Sequence, residues 1–248
     1  MEDQPQYFCI NCGERISSLY KKYSATVLKL TECEYCKKIA DKYVEYDITN
    51  VVIGLILLDN TAYRHILLNT DFKHYWKLSL ILILLEAYSN MTLLNNSNVV
   101  QCDSQNQTEP SLKDFDVNVE DLKFYILTIN IGISFLCFVA TTYLLTRIYY
   151  SYLNNNRKKA PSFILILKTI TLASSSIFLQ LPSVIWDLSV YSYHLHFISL
   201  YITLSQLLAY KVISSCPKIW CLLTIFSSVF IKSFINQYLN RVISFGIV

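Results

Sequence analysis

The sequence predicts an all-α membrane protein with about five transmembrane helices and a small N-terminal, zinc-ribbon-like domain in the cytosol. Three observations carry this expectation. Only 16% of the 248 residues are charged, against 53% hydrophobic, whereas soluble domains carry about a quarter charged residues. The charges crowd into the positions before Asn50, and from Phe124 onward the chain is mostly Leu, Ile, Phe, Ser, Thr and Tyr. Two C-x-x-C pairs, Cys9–Cys12 and Cys33–Cys36, lie in the polar part. A polar head and a lipid-embedded body follow from that asymmetry.

The head is read as residues 1–46. It opens on the acidic Met1-Glu2-Asp3 with no apolar run behind it, so no secretory signal is expected and the head should stay in the cytosol. Paired C-x-x-C motifs at this separation match the zinc-ribbon pattern. Two residues between cysteines let a tight turn aim both sulfurs at one ion, and Gly13 can supply the positive φ such a turn needs. Four thiolates, from Cys9, Cys12, Cys33 and Cys36, would close a tetrahedral shell around structural Zn2+. Metal would then stabilise a segment too short to build its own core. A thioredoxin-type redox pair needs a βαβ context that is missing here, and disulfides conflict with a reducing cytosol. The net charge of +3 is modest, and lysines alternate with acids between Glu32 and Asp47. No continuous basic stripe is offered to nucleic acid.

Residues 47–73 form the next unit. The apolar stretch Val51–Leu58 is too short to span a bilayer, so it reads as an interfacial or buried helix or strand. Behind it comes Ala62-Tyr63-Arg64-His65-Ile66-Leu67-Leu68-Asn69. On a helix, Tyr63, Ile66 and Leu67 share one face. An aromatic, a cation and a histidine beside lipid suit a headgroup phosphate or a docking partner. A surface helix snorkelling one arginine explains the same residues.

Spans come next. A crossing helix needs about 20 mainly apolar residues. The first is placed at residues 74–94, centred on Leu78–Leu85, with Lys77 at the interface and Glu86 inside. Residues 95–122 are read as a loop, and residues 123–248 as a region with about four spans. Those four are the uncharged run Phe124–Thr146, then Ser162–Trp186 with Lys168, Leu188–Tyr210, and Val212–Ile231, which contains Pro217 and Lys218. Lysines and arginines cluster before Tyr75 and again at Arg147, Arg157, Lys158 and Lys159, whereas the 95–121 loop holds only Lys113. The positive-inside rule therefore puts the head and the 147–161 loop in the cytosol and the 95–121 loop in the lumen. Glycosylation acceptor triplets at Asn95 and Asn106 fall in that luminal loop.

No enzyme is expected. The glycines are too scattered for a phosphate-binding or dinucleotide loop. His194 and His196 point to different sides of a helix and cannot share one metal. Glu86, Lys168, His194 and Lys218 are the ionisable groups expected inside spans, where such groups are functional candidates by default. Structural pairing competes with that reading, and function is placed narrowly ahead only for Lys168.

The paired cysteine knuckles followed by the Ala62–Asn69 stretch resemble the Arv family, named for a requirement for viability when sterol acyltransferases are lost. The resemblance covers about residues 7–69 and extends more weakly to Glu86-Ala87-Tyr88 and Pro182–Trp186. It implies a multi-pass endoplasmic-reticulum protein, non-enzymatic, that mediates sterol and lipid transport and membrane lipid homeostasis, sphingolipid balance included. The alternative it implies is an accessory or scaffold subunit of a lipid- or glycosylphosphatidylinositol-synthesis complex. Membrane lipids, sterol first among them, and lipid-synthesis enzymes would be the partners. Carried over, the four cysteines hold Zn2+, and Tyr63, Arg64, His65 and Asn69 are the family's signature residues. The asparagine-rich loop has no counterpart in the pattern.

Overall fold

A computed structural model describes residues 7–24, 28–103, 117–153, 160–186, 192–214 and 216–246. The head contains two small antiparallel hairpins, β1 (Tyr7–Phe8) with β2 (Arg15–Ile16), and β3 (Tyr20–Lys22) with β4 (Leu28–Leu30). An isolated bridge pairs Glu32 with Ile39. Each C-x-x-C motif therefore sits in a loop clamped by strand pairing at its base. A 3-10 turn, Lys42–Val44, closes the head, with the Asp41 carboxylate accepting from the Tyr43 amide.

Helix α1 covers Ile48–Ile56, which settles the ambiguity between helix and strand. It ends at Leu58, whose φ of 57° reverses the chain. Asp59 then caps helix α2 (Asn60–Arg64) by accepting from the Thr61 amide, a standard use of aspartate at a helix start. One π turn, His65–Asn69, continues α2.

The rest is helical: α3 (Tyr75–Asp103), α4 (Val117–Ile148), α5 (Phe163–Ser174), α6 (Gln180–Ile185), α7 (Ser192–Ile213) and α8 (Lys218–Gly246). A 3-10 turn at Ser175–Leu179 joins α5 to α6. Among the described residues, four stretches are long and apolar enough to cross a bilayer: Asp121–Tyr152, Phe163–Ser183, His194–Ile213 and Lys218–Arg241. They correspond to the four spans expected after residue 123. Pro217 and Lys218 fall at the start of α8 rather than inside it, where a helix tolerates proline. The fifth expected span lies in α3, which is helical from Tyr75 to Asp103 and is not among those four. That helix also runs on to Asp103, past the boundary expected at residue 94. Asn95 lies within it, and Asn106 lies outside the described residues.

Small polar side chains knit the helices together, as expected where lipid supplies no hydrophobic drive between them. Thr146 pairs with Tyr210 at 2.7 Å and Thr142 with Ser228 at 3.1 Å. Glu86 in α3 and Lys232 in α8 form an ion pair at 2.8 Å. Lys168 lies over the Tyr75 ring at 5.5 Å, and His194 meets Ser183 at 3.1 Å. Those in-span groups all have structural partners.

Candidate metal centre and its latch to the helices

The two cysteine loops are built alike. The Gly13 amide donates to the Cys9 carbonyl at 2.8 Å, and the Lys37 amide donates to the Cys33 carbonyl at 2.9 Å. Gly13 has φ +82° and Lys37 has φ 57°, so each loop turns through the left-handed region immediately after its second cysteine. The expectation for Gly13 holds; the matching strain at Lys37 was invisible because lysine carries no turn signal.

These turns bring the four sulfurs to within 4.8 Å of one another. Cys9 and Cys36 approach to 3.7 Å, and Cys12 and Cys33 to 3.6 Å. A disulfide would need sulfurs about 2.05 Å apart. A tetrahedral ion with bonds of about 2.3 Å to sulfur has sulfur–sulfur edges of about 3.8 Å, and the cluster matches that spacing. Four soft donors, with no fifth His, Cys, Asp or Glu grouped with them among the described residues, could close a shell around a metal ion. The surroundings already favour thiolate on one side: amides, led by that of Cys36, draw the Cys33 thiol down to about 7. Burial, together with neighbouring thiols, pushes Cys12 up to about 12.

The Tyr-Arg-His stretch lies directly behind this cluster. The Arg64 guanidinium donates from Nη1 to the carbonyls of Ile10 at 2.9 Å and Asn11 at 2.6 Å, the two residues between Cys9 and Cys12. The Asn69 side chain both accepts from the Phe8 amide and donates to the Phe8 carbonyl, each at 2.8 Å, which imitates one more strand partner for β1. Asn69 Nδ2 and His65 Nδ1 also reach the same oxygen of Asp41, each at 2.7 Å. Asp41 is fully buried. Its carboxylate thus gathers the end of the head, the histidine and the asparagine into one network.

Tyr63 points the other way. Its ring is buried, and its hydroxyl pairs with Ser205 in α7 at 2.7 Å; Ser205 donates on to the Ala173 carbonyl of α5 at 3.1 Å. Tyr63 and Leu67 pack with Leu172, Ala173 and Ala209. Consecutive residues of one helical turn therefore grip opposite bodies, Tyr63 the membrane helices and Arg64 the head. The headgroup phosphate considered for Arg64 and His65 meets side chains already engaged with Ile10, Asn11 and Asp41.

Sequence reasoning missed Asp41, Tyr43 and Asp59. The Tyr43 hydroxyl donates to Asp59 at 3.3 Å, and Asp59 also receives the Thr61 amide and hydroxyl. Asp41 and Asp59 each make a local cap contact two residues on, but the Tyr43–Asp59, Asp41–His65 and Asp41–Asn69 contacts arise only through tertiary structure.

An apolar groove of about 680 Å³ opens between α1–α2 and the helices α5 and α7. Ile48, Val52, Leu55, Ile66, Leu172 and Phe178 form much of its wall, with His65, Thr70, Ser175 and Ser176 as polar points and Tyr201 at one side.

Residues 8–210 match the Arv1-like family. Protein ARV1 of Homo sapiens is 31% identical over 230 residues, 92% of this chain and 80% of the relative. Protein ARV1 of Mus musculus is 29% identical over 235 residues, covering 95% and 84%. Protein ARV1 of Saccharomyces cerevisiae is 44% identical over 69 residues, covering 28% and 22%. No solved structure matches.

Proposed function

For a chain that belongs to the Arv1-like family, we propose a non-enzymatic role in sterol and lipid transport and in membrane lipid homeostasis, exercised in the endoplasmic-reticulum membrane. The apolar groove beside α1 and α2 carries this reading. Its volume of about 680 Å³ falls within the range of small-molecule sites, roughly 300–1,000 Å³, and its mostly apolar wall with a few hydroxyls is the usual composition of one. A rigid hydrocarbon body bearing a single hydroxyl suits that composition. Zn2+ is the metal we assign to the four cysteines, because a closed thiolate set at this spacing fits its tetrahedral preference. It would hold the head that Arg64 and Asn69 attach to the groove wall, and supply no chemistry. The polar residues of the motif are absorbed in that attachment, which favours carriage over catalysis.

The test is capture of a photoreactive sterol by the purified protein in liposomes, together with sterol transfer between vesicles. Val52 lines the groove and is half-exposed, so Val52→Trp fills the groove without removing a core side chain. Capture and transfer by the parent protein, both reduced in Val52→Trp at unchanged zinc content, are the expected result. Folded protein that neither captures nor transfers sterol would overturn the transport reading and favour an accessory subunit of a lipid-synthesis complex.

A further inference from the structure

Helix α1 has no ordinary place in a soluble head. No charge occurs from Ile48 to Leu58, and Ile48, Val52, Ile53, Ile56 and Leu57 are all exposed, Leu57 by 74%. Its nine residues make a helix of about 14 Å at 1.5 Å per residue. That is too short to cross a hydrocarbon layer of about 30 Å.

The contacts with α7 place its far end. The Tyr201 hydroxyl donates to the Ile56 carbonyl, Tyr63 pairs with Ser205, and Leu67 packs with Ala209. The chain therefore climbs along α7 in steps of one helical turn. Within the apolar stretch His194–Ile213, Tyr201 lies about 10 Å from one end and about 18 Å from the other at 1.5 Å per residue. The turn at Ile56–Leu58 is thus level with the interior of the span, whichever side of the membrane the head occupies.

We propose that α1 and α2 form a re-entrant hairpin whose exposed face outside the groove, Ile53 and Leu57, lies against the acyl chains of the bilayer. Non-helical backbone at such depth is tolerated only where its polar groups are satisfied by protein, and the turn has four such bonds. The amides of Leu57, Leu58 and Asp59 donate to the carbonyls of Ile53, Leu55 and Gly54 at 2.8–3.1 Å, and Tyr201 takes the Ile56 carbonyl. The Asp59 carboxylate receives Thr61 and Tyr43, leaving Asn60 as the exposed polar side chain of the turn. Leu58, in its left-handed conformation, sends the chain back out by the face it entered. This insertion stands whether or not the groove holds sterol.

Phospholipids bearing a diazirine either at the chain terminus or on the headgroup, photolysed in vesicles that hold the full-length protein, test the depth, with adducts mapped to single residues by mass spectrometry. Phe230, exposed on α8, and Tyr35, exposed on the head, mark lipid-facing and head-surface behaviour. Leu57 is expected to take the chain-terminal probe as Phe230 does, with Tyr35 taking none. Adducts at Leu57 from the headgroup probe alone would mean that α1 lies flat on the surface and overturns the proposal. No chain-terminal adduct at Leu57 where Phe230 reacts overturns it equally.

Discussion

Removing the Asp41 carboxylate should loosen the head from the membrane helices without touching a single metal ligand. Asp41 is fully buried and accepts three hydrogen bonds: from the Tyr43 amide at 3.0 Å, and from His65 and Asn69 at 2.7 Å each. Asp41→Ala leaves all three partners without their acceptor. Removing one member of a buried hydrogen-bonded charge network costs about 3–5 kcal/mol, and each 1.4 kcal/mol is tenfold. Opening of the latch should therefore rise about a hundred- to thousand-fold or more. The assay is hydrogen–deuterium exchange of the Phe8 amide, which is held by Asn69, read alongside the rate of metal loss to a chelator. Both should accelerate in Asp41→Ala, and Asp41→Asn should fall between, since an amide keeps the turn cap but loses the charge. Faster exchange at Tyr43 alone, with Phe8 and metal loss unchanged, would refute the reasoning. Asp41 would then serve only the local turn.

Three further outcomes are expected. Lys37→Gly should strengthen the second knuckle, because a left-handed residue with a Cβ costs about 1–2 kcal/mol while glycine's extra unfolded freedom returns about 0.5–1; chelator competition should show tighter metal retention. Gly54→Ala should destabilise by about 1–3 kcal/mol through overpacking, because its Cβ would meet the Ala62 Cβ at 2.9 Å and the Tyr43 hydroxyl at 3.1 Å; thermal unfolding in detergent checks this. Lys232→Met alone should cost about 3–5 kcal/mol by stranding Glu86, and adding Glu86→Met should restore most of the loss, since apolar pairs replace buried ion pairs well; a double-mutant cycle on thermal stability separates the two.

Much of the site was legible from spacing. The cysteine pattern, the positive-φ need at Gly13 and the Tyr63–Asn69 stretch are local features, and local features leave a signature in sequence. The direction each motif residue faces was not legible. Tyr63 and Arg64 are neighbours in the chain, but a helix rotates neighbours about 100° apart. Which body lies on each side is decided by folding, and it is folding that brings Arg64 to a cysteine loop.

The four apolar stretches after Phe124 were determined by composition alone, because the bilayer demands a run of apolar residues regardless of what surrounds it. The four-cysteine set and the shortness of α1 belong to the same class. Tertiary structure decided what long-range pairing decides: Asp41 between His65 and Asn69, Glu86 against Lys232, Tyr63 on Ser205, and Tyr201 on the Ile56 carbonyl. Each joins residues far apart in the chain, and no periodicity or spacing records a partner that only packing supplies.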